Sequence, residues 1–313
     1  MDQAAQLRQM MEKESKNLYR LNSRMTDNRG SYEKEPRVIA VSSGKGGVGK
    51  TNIAVNLAVA FRRMGKRVLI LDADLGLANI DIIFGMNPKY NIENIISGEK
   101  NLSQVIVSGP EGVDLIPAGS GVQELTQLTE GQKINLLNEF DLLNMKYDVM
   151  LIDVGAGVSS NVIYFNLAAE ERIIVATPEP TSVTDAYALI KILHFQHGVK
   201  NFYLLLNMVS DEKEAKSVYD NLSRVTARFM GSISIEYAGF VPMDNCVREA
   251  VSRRKPVMCA YPEASSSYCF RVLADYLLKR KNNGRIDGNI KFFWKRLMSG
   301  ETDADVKIGN RPV

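Results

Sequence analysis

The sequence predicts a doubly wound α/β fold: a mostly parallel sheet with a phosphate-binding loop, built as a single main domain. Apolar runs of strand length alternate with stretches of helical length, and the first run leads directly into "GKGGVGKT". Strands covered on both faces lack polar alternation, and parallel neighbours need crossovers of a dozen residues or more. Both features are present from Arg37 onward.

The elements follow in order. The strand "RVIAVSS" (37–43) precedes the loop, and a helix over 50–64 follows it, closed by Gly65, a residue that accepts the left-handed conformation at a helix C-terminus. "RVLILDA" (67–73) and "VDLIPA" (113–118) are the next strands, followed by a helix over 131–145. "YDVMLIDV" (147–154) leads to a helix over 158–169, and "RIIVATP" (172–178) to a helix over 182–197 closed by Gly198. "NFYLLLNMV" (201–209), a helix over 211–229, "ISIEYAGFVP" (233–242) and a helix over 265–279 complete a domain spanning 37–280. Ligands of such folds gather at the carboxyl ends of the strands.

Composition bounds the function. With 313 residues, 45% hydrophobic and 24% charged, the chain holds enough apolar surface for a large core, which excludes disorder throughout. A net charge of +3 does not indicate a general nucleic-acid coat. No run approaches the ~18 apolar residues that span a bilayer, so membrane contact is expected to be peripheral. Cys246, Cys259 and Cys269 have no CxxC spacing and are expected to be free thiols in a reducing compartment. His194 and His197 read as polar residues closing their helix rather than metal ligands. No metal other than Mg²⁺ is called for.

The loops carry the chemistry. Gly44 to Thr51 is a complete "GxxxxGK[ST]" loop, in which the backbone of Gly44, Gly46, Gly47, Val48 and Gly49 wraps phosphate oxygens. Lys50 would meet the β- and γ-phosphates, Thr51 would offer its hydroxyl to Mg²⁺, and Asn52 follows in the first helical turn. The ligand so implied is a nucleoside triphosphate. Asp153, ending an apolar strand before "GAG", suits the Mg²⁺-organising Walker B aspartate of a nucleoside triphosphatase. Asp72 and Asp74 end another strand; one carboxylate suits the Mg²⁺ water shell and the other the attacking water, with Asp74, further into the loop, assigned to the water. Lys45, five residues before Lys50, is not explained by the loop itself.

"KGGVGKT", "LILDADLGLANIDIIFG" and "LIDVGAG" together resemble the deviant-Walker-A ATPases of the MinD/ParA family, with "DADLGLANIDIIFG" most similar to the MinD branch. The resemblance covers about 37–280. It implies that Lys45 reaches across an ATP-sandwich dimer to the partner's nucleotide, coupling ATP binding to dimerisation. It also places Asn79 near the phosphates, Asn207 at the adenine, and the backbone around Pro242 and Met243 against the base. Asp185 matches a dimer-face aspartate. The family often has arginine after the asparagine, where this sequence has Met208.

Both ends carry further signals. Residues 1–24 form a candidate amphipathic helix, with Leu7, Met10, Met11, Leu18 and Leu21 at helical spacing, and 25–36 reads as a tether. "DQAAQLR" resembles the DQAxxLR motif of the MinD-like regulators of flagellar number and placement, FlhG or YlxH. That resemblance implies binding and stimulation of FlhF, an SRP-type GTPase, through Asp2, Gln3, Leu7 and Arg8, with Gln3 at the nucleotide, and recruitment of flagellar C-ring components.

In the tail, 281–313, a helix over 290–298 would align Ile290, Phe293, Trp294 and Leu297, with Met298 at the edge and Lys291, Lys295 and Arg296 pointing away. Phe292 points toward the charged side. Such a helix suits an anionic membrane surface, the protein's own core, or a partner. One copy binds a membrane weakly and two copies in a dimer bind far better.

The resulting expectation is an ATPase switch: cytosolic with ADP, and dimeric and peripheral on the inner face of the cell membrane with ATP. A ParA-like DNA-binding partition ATPase and a non-catalytic nucleotide-dependent scaffold are the alternatives. An iron–sulfur carrier would need a close cysteine pair that the sequence lacks.

Overall fold

The computed structural model describes residues 36–74, 79–117, 119, 146–231 and 233–280. The expected N-terminal helix, nearly all of the tether, the helix over 131–145 and the C-terminal tail lie outside the described residues. So do Asp2, Gln3, Leu7, Arg8, Ile290, Phe293, Trp294, Leu297 and Met298.

Among the described residues, eight strands form one sheet in the order β3-β4-β2-β5-β1-β6-β7-β8. They are β1 (Arg37–Ser43), β2 (Val68–Ala73), β3 (Val107–Ser108), β4 (Asp114–Ile116), β5 (Val149–Ala156), β6 (Glu171–Ala176), β7 (Asn201–Val209) and β8 (Ser234–Pro242). All pairings are parallel except β3 with β4. The two-residue β3 was absent from the sequence expectation because so short an edge segment carries no periodicity to read.

β1 lies between β5 and β6, so Val38 and Ala40 join the core on one face while Ile39 and Val41 join the other. Burial on both faces is why the strand reads as a continuous apolar run. One face is covered by α1 (Lys50–Arg63), and the long helices α6 (Pro180–His197) and α7 (Glu212–Met230) cover the other with α5 (Ser160–Ala168). Between them in sequence are the short helices α2 (Ile80–Phe84), α3 (Ile92–Ile96) and α4 (Leu102–Val105). After β8 come α8 (Asn245–Ser252), α9 (Val257–Ala260) and α10 (Ser265–Lys279), which pack beside α1.

The expected strands and crossover helices within the described residues are present, with ends shifted by a few residues. α6 begins at Pro180 rather than 182, since proline suits the first turn, where its missing N–H costs nothing. The six short helices α2, α3, α4, α8, α9 and the 3₁₀ turn Pro110–Gly112 were not anticipated. Side-chain caps mark the starts of three of them, with Asp244 accepting the Cys246 N–H at α8. Asn91 and Asn101 each form reciprocal capping boxes at α3 and α4.

At the base of the sheet Arg37 donates from Nε to Glu171 Oε1 at 2.7 Å and from Nη1 to the Leu277 carbonyl, with both charged side chains buried. The pair ties the first residue of β1 to β6 and to the last turn of α10. It sits at the opposite end of β1 from the phosphate loop.

Candidate functional site

The loop after β1 places Gly47 and Gly49 at φ 78° and 85°, left-handed conformations that favour glycine. Gly49 is the residue before α1, and no side chain caps the helix, so its first N–H groups face the loop. Nothing lies within 4 Å of a Cβ built on Gly46 or Gly47, whereas a Cβ on Gly44 would fall 2.1 Å from the Asp185 carbonyl oxygen. The loop is therefore packed against α6 at its start and open at its crown. This is the geometry of a backbone cradle for phosphate oxygens.

Three carboxylates converge below it. Lys50, buried, donates from Nζ to Asp153 Oδ1 at 3.1 Å and stands 3.7 Å from Asp74 Oδ2. β2 ends at Ala73, so Asp72 and Asp74 part company as their separation by the strand end predicts. Asp72 is buried and accepts the Asp74 N–H at 3.1 Å and the Ile80 N–H at 3.4 Å, pinning the strand end to the start of α2. Burial, reinforced by the neighbouring Asp153, raises its pKa to about 7. Asp153 is raised as well, by burial first, against the opposing pull of Lys50 and a hydrogen bond with Thr51. Asp74 has a side chain 24% exposed, while Asp153 is 1% and Asp72 2%. Of the three, Asp74 is the carboxylate that reaches solvent.

Lys45 points elsewhere. Its Nζ donates to Glu179 Oε2 at 2.7 Å and to Thr181 Oγ1 at 2.9 Å, on the turn that opens α6. Neither partner was singled out from the sequence. The signal was available in the topology, because β1 and β6 are parallel neighbours and their C-terminal loops must lie side by side.

On the other flank a cavity of about 410 Å³ runs from Lys45 and Gly46–Val48 to Met208, Ser210, Glu214 and Met243. Asn207 donates from Nδ2 to the Val48 carbonyl at 2.7 Å, which leaves its carbonyl oxygen as the free polar end. Pro242 ends β8 opposite Val209 of β7, and the N–H of the next residue, Met243, donates to the Val209 carbonyl at 2.9 Å. Asn79 stands exposed at the start of α2, and Asp185 is half-buried on α6. Cys246, Cys259 and Cys269 are separate half-buried thiols.

A family profile described as "ParA: NUBPL iron-transfer P-loop NTPase" matches residues 35–278. The antiactivator FleN of Pseudomonas aeruginosa is 40% identical over 262 residues, covering 84% of this chain and 93% of FleN. The chain belongs to the MinD/ParA family of deviant-Walker-A ATPases. Another relative, the flagellum site-determining protein YlxH of Helicobacter pylori, is 32% identical over 275 residues, 87% of this chain and 92% of its own. Among solved structures, the septum site-determining protein MinD of Pyrococcus horikoshii, complexed with Mg-ADP, superposes with a TM-score of 0.62 at 26% identity, covering 78% of this chain and 96% of that one.

As a MinD/ParA ATPase, the chain takes ATP or ADP with Mg²⁺, and its residues fit both. The open glycine cradle suits phosphates. Two buried carboxylates whose pKa values are driven up by burial are relieved by a divalent cation beside them. Among the described residues no three His, Cys, Asp or Glu side chains are arranged to hold a metal by themselves. Mg²⁺ in phosphate-loop sites uses only one or two protein ligands together with phosphate and water. Thr51 and Asp153 are in hydrogen-bond contact with one another at the start of α1.

Proposed function

We propose that this ATPase is a dimerising, membrane-associating switch that regulates flagellar number or placement. The observation that carries the switch is the separation of its two loop lysines. Lys50 lies inside the site against the buried Asp153, while Lys45 is held at the rim by the exposed Glu179 and Thr181, a contact that a stronger anion can replace. In an ATP-sandwich dimer that anion is the partner's nucleotide phosphate, so ATP and dimerisation favour one another. The flagellar reading is supported by the similarity to FleN and YlxH and by "DQAAQLR".

Within the site Lys50 neutralises phosphate charge, and Thr51 and Asp153 hold Mg²⁺, with Asp72 behind them at its water shell. When bound, the ion would supply neutralisation of phosphate charge beside these residues. Asp74, the solvent-reaching carboxylate, positions and accepts a proton from the attacking water. Asn207 offers its carbonyl oxygen to an amino donor, which suits adenine, and Pro242 and Met243 border the base. Asp185, whose carbonyl abuts Gly44, lies at the dimer face and links the loop to α6. Turnover is slow without a partner, since a switch needs its active state to persist.

The N-terminal motif, Asp2, Gln3, Leu7 and Arg8, stimulates the SRP-type GTPase FlhF in this reading. The tail residues Ile290, Phe293, Trp294, Leu297 and Met298 enter the anionic surface of the cell membrane from the cytoplasmic side, and C-ring components are further partners. No helix among the described residues is long and apolar enough to cross a membrane.

Liposome co-sedimentation of the full chain, an Asp74→Ala variant and a chain ending at Asn283 tests this, each with ADP and with ATP. ATP should drive the full chain onto anionic vesicles, Asp74→Ala should remain there longer, and truncation should abolish binding. Vesicle binding indifferent to nucleotide and tail would overturn the switch. Salt-sensitive, ATP-dependent DNA binding in its place would favour the partition reading.

A further inference from the structure

The end of β7 departs from regular pairing at one residue. Asn207 pairs with Val241 and Val209 pairs with Pro242, so two steps on β7 oppose one on β8 and Met208 is the extra residue. Its φ is 57°, in the left-handed region that a bulky side chain rarely occupies. Bulges beside active sites re-aim a side chain, and residues held in sparsely populated conformations concentrate at ligand clamps. The bulge turns Met208 out of the core: it is 40% exposed, and its Cε lies 3.4 Å from a Cβ built on Gly49 of the phosphate loop.

A second methionine stands beside it. Met243 is 74% exposed, and its N–H is tied to the Val209 carbonyl at 2.9 Å, fixing the backbone after β8 against the residue following the bulge. Both methionines line the 410 Å³ cavity whose other wall is Gly46–Val48. Thr177 Oγ1, buried in that same cavity's lining, has no hydrogen-bond partner. Two large apolar side chains turned out at the mouth of one cavity give it a polarisable wall. A thioether contacts aromatic rings favourably and adapts to their shape.

We propose that Met208 and Met243 form a thioether clamp on the base of the bound nucleotide, with Met208 supplying an uncharged contact to the ring. This rests on the nucleotide reading above, because the phosphate loop fixes one end of the ligand and the clamp lies on the adenine-side flank of the same cavity. An uncharged clamp contributes to base affinity without a salt-dependent component.

Calorimetric titration of the full chain with Mg-ADP, and separately with Mg-tripolyphosphate as a base-free probe, separates the clamp from the loop. ADP is used so that subunit pairing does not cover the methionines. Met208→Ala should weaken Mg-ADP by roughly two- to tenfold, the range expected for a sulfur–aromatic contact. Met208→Leu should lose less, and tripolyphosphate binding should be unchanged in both. Peptide mass analysis after mild peroxide treatment is the second readout: Mg-ADP should slow sulfoxidation of Met208 and Met243 severalfold, and tripolyphosphate should not. Wild-type binding of Mg-ADP without protection of either methionine would overturn the clamp, as would Met208→Ala binding Mg-ADP normally or losing tripolyphosphate to the same degree. Failure of the wild-type chain to bind Mg-ADP at all would overturn the nucleotide reading and the clamp with it.

Discussion

Lys45 and Glu179, 134 residues apart in sequence, meet at 2.7 Å at the rim of the phosphate loop, whereas Lys50 lies buried beneath it. The exposed pair is 39% and 65% open to solvent, and pairs of that kind contribute about 0–1 kcal/mol to folding. Lys45→Ala should therefore leave the thermal midpoint almost unchanged. Under the dimer reading it should also abolish ATP-dependent dimerisation while leaving Mg-ADP binding intact. Light scattering coupled to size exclusion, with ADP and with ATP, checks both halves. A variant that still dimerises with ATP would remove Lys45 from the interface.

Lys50 differs because its partner is inside. Lys50→Met leaves Asp153, 1% exposed, without its cation, and breaking a buried pair on one side typically costs about 3–5 kcal/mol. Burial already raises Asp153, and loss of Lys50 removes the main opposing pull. A raised carboxylate is stable folded when protonated and loses stability as pH climbs from its unfolded value toward its folded one. The deficit of Lys50→Met relative to the wild type should thus be larger at pH 8 than at pH 5. Equal deficits at both would show that the lysine acts through packing alone.

Much of this arrangement was legible in the residue order. The spacing of "GKGGVGKT" after an apolar strand anticipated a glycine loop leading into Lys50, whereas "LILDAD" left open whether Asp72 and Asp74 share a face, which the end of β2 at Ala73 decides. What could not be read was whatever depends on neighbours distant in sequence. The pairing of Lys45 with Glu179 and Thr181 needs β1 and β6 to be adjacent, which no periodicity encodes. Met208 sits in an ordinary-looking strand run, and only the β7–β8 register reveals it as the bulged residue. The short helices α3 and α4 escaped because capping by Asn91 and Asn101, rather than a long apolar stripe, defines them, and α2 has only five residues.

Asp72 supplies a pH test independent of catalysis. Its carboxyl, buried and raised to about 7 from 3.8, favours the folded state while protonated. Between the two values the unfolded chain has released the proton and the folded chain still holds it, so stability falls as pH rises through that window and levels off above it. Asp72→Asn removes the charge and keeps an acceptor for only one of the two N–H groups, which sit on different carboxylate oxygens. That loss is a pH-independent offset, so in nucleotide-free buffer with a chelator the melting temperature of Asp72→Asn should gain on the wild type progressively from pH 4 to pH 7, and the difference should then stay constant. A constant difference across the whole range would mean Asp72 titrates normally.

The glycines of the loop divide into two kinds, and substitution tells them apart. Gly44 is pressed against α6: an added methyl would lie 2.1 Å from the Asp185 carbonyl oxygen and 2.7 Å from the Ala186 nitrogen, both backbone atoms that cannot swing aside. Gly46 has open space around the same position. Gly44→Ala must push the loop off the helix or the helix off the sheet, and overpacking of this sort costs about 1–3 kcal/mol or more. Gly46→Ala should fold as well as the wild type. Its methyl stands at the exposed crown of the cradle, where phosphate oxygens approach the backbone, so its loss should be in nucleotide affinity. Paired thermal melts and Mg-ADP titrations should accordingly show a stability defect for Gly44→Ala and a binding defect for Gly46→Ala. The reverse assignment would mean that α6, rather than the ligand, limits the crown of the loop.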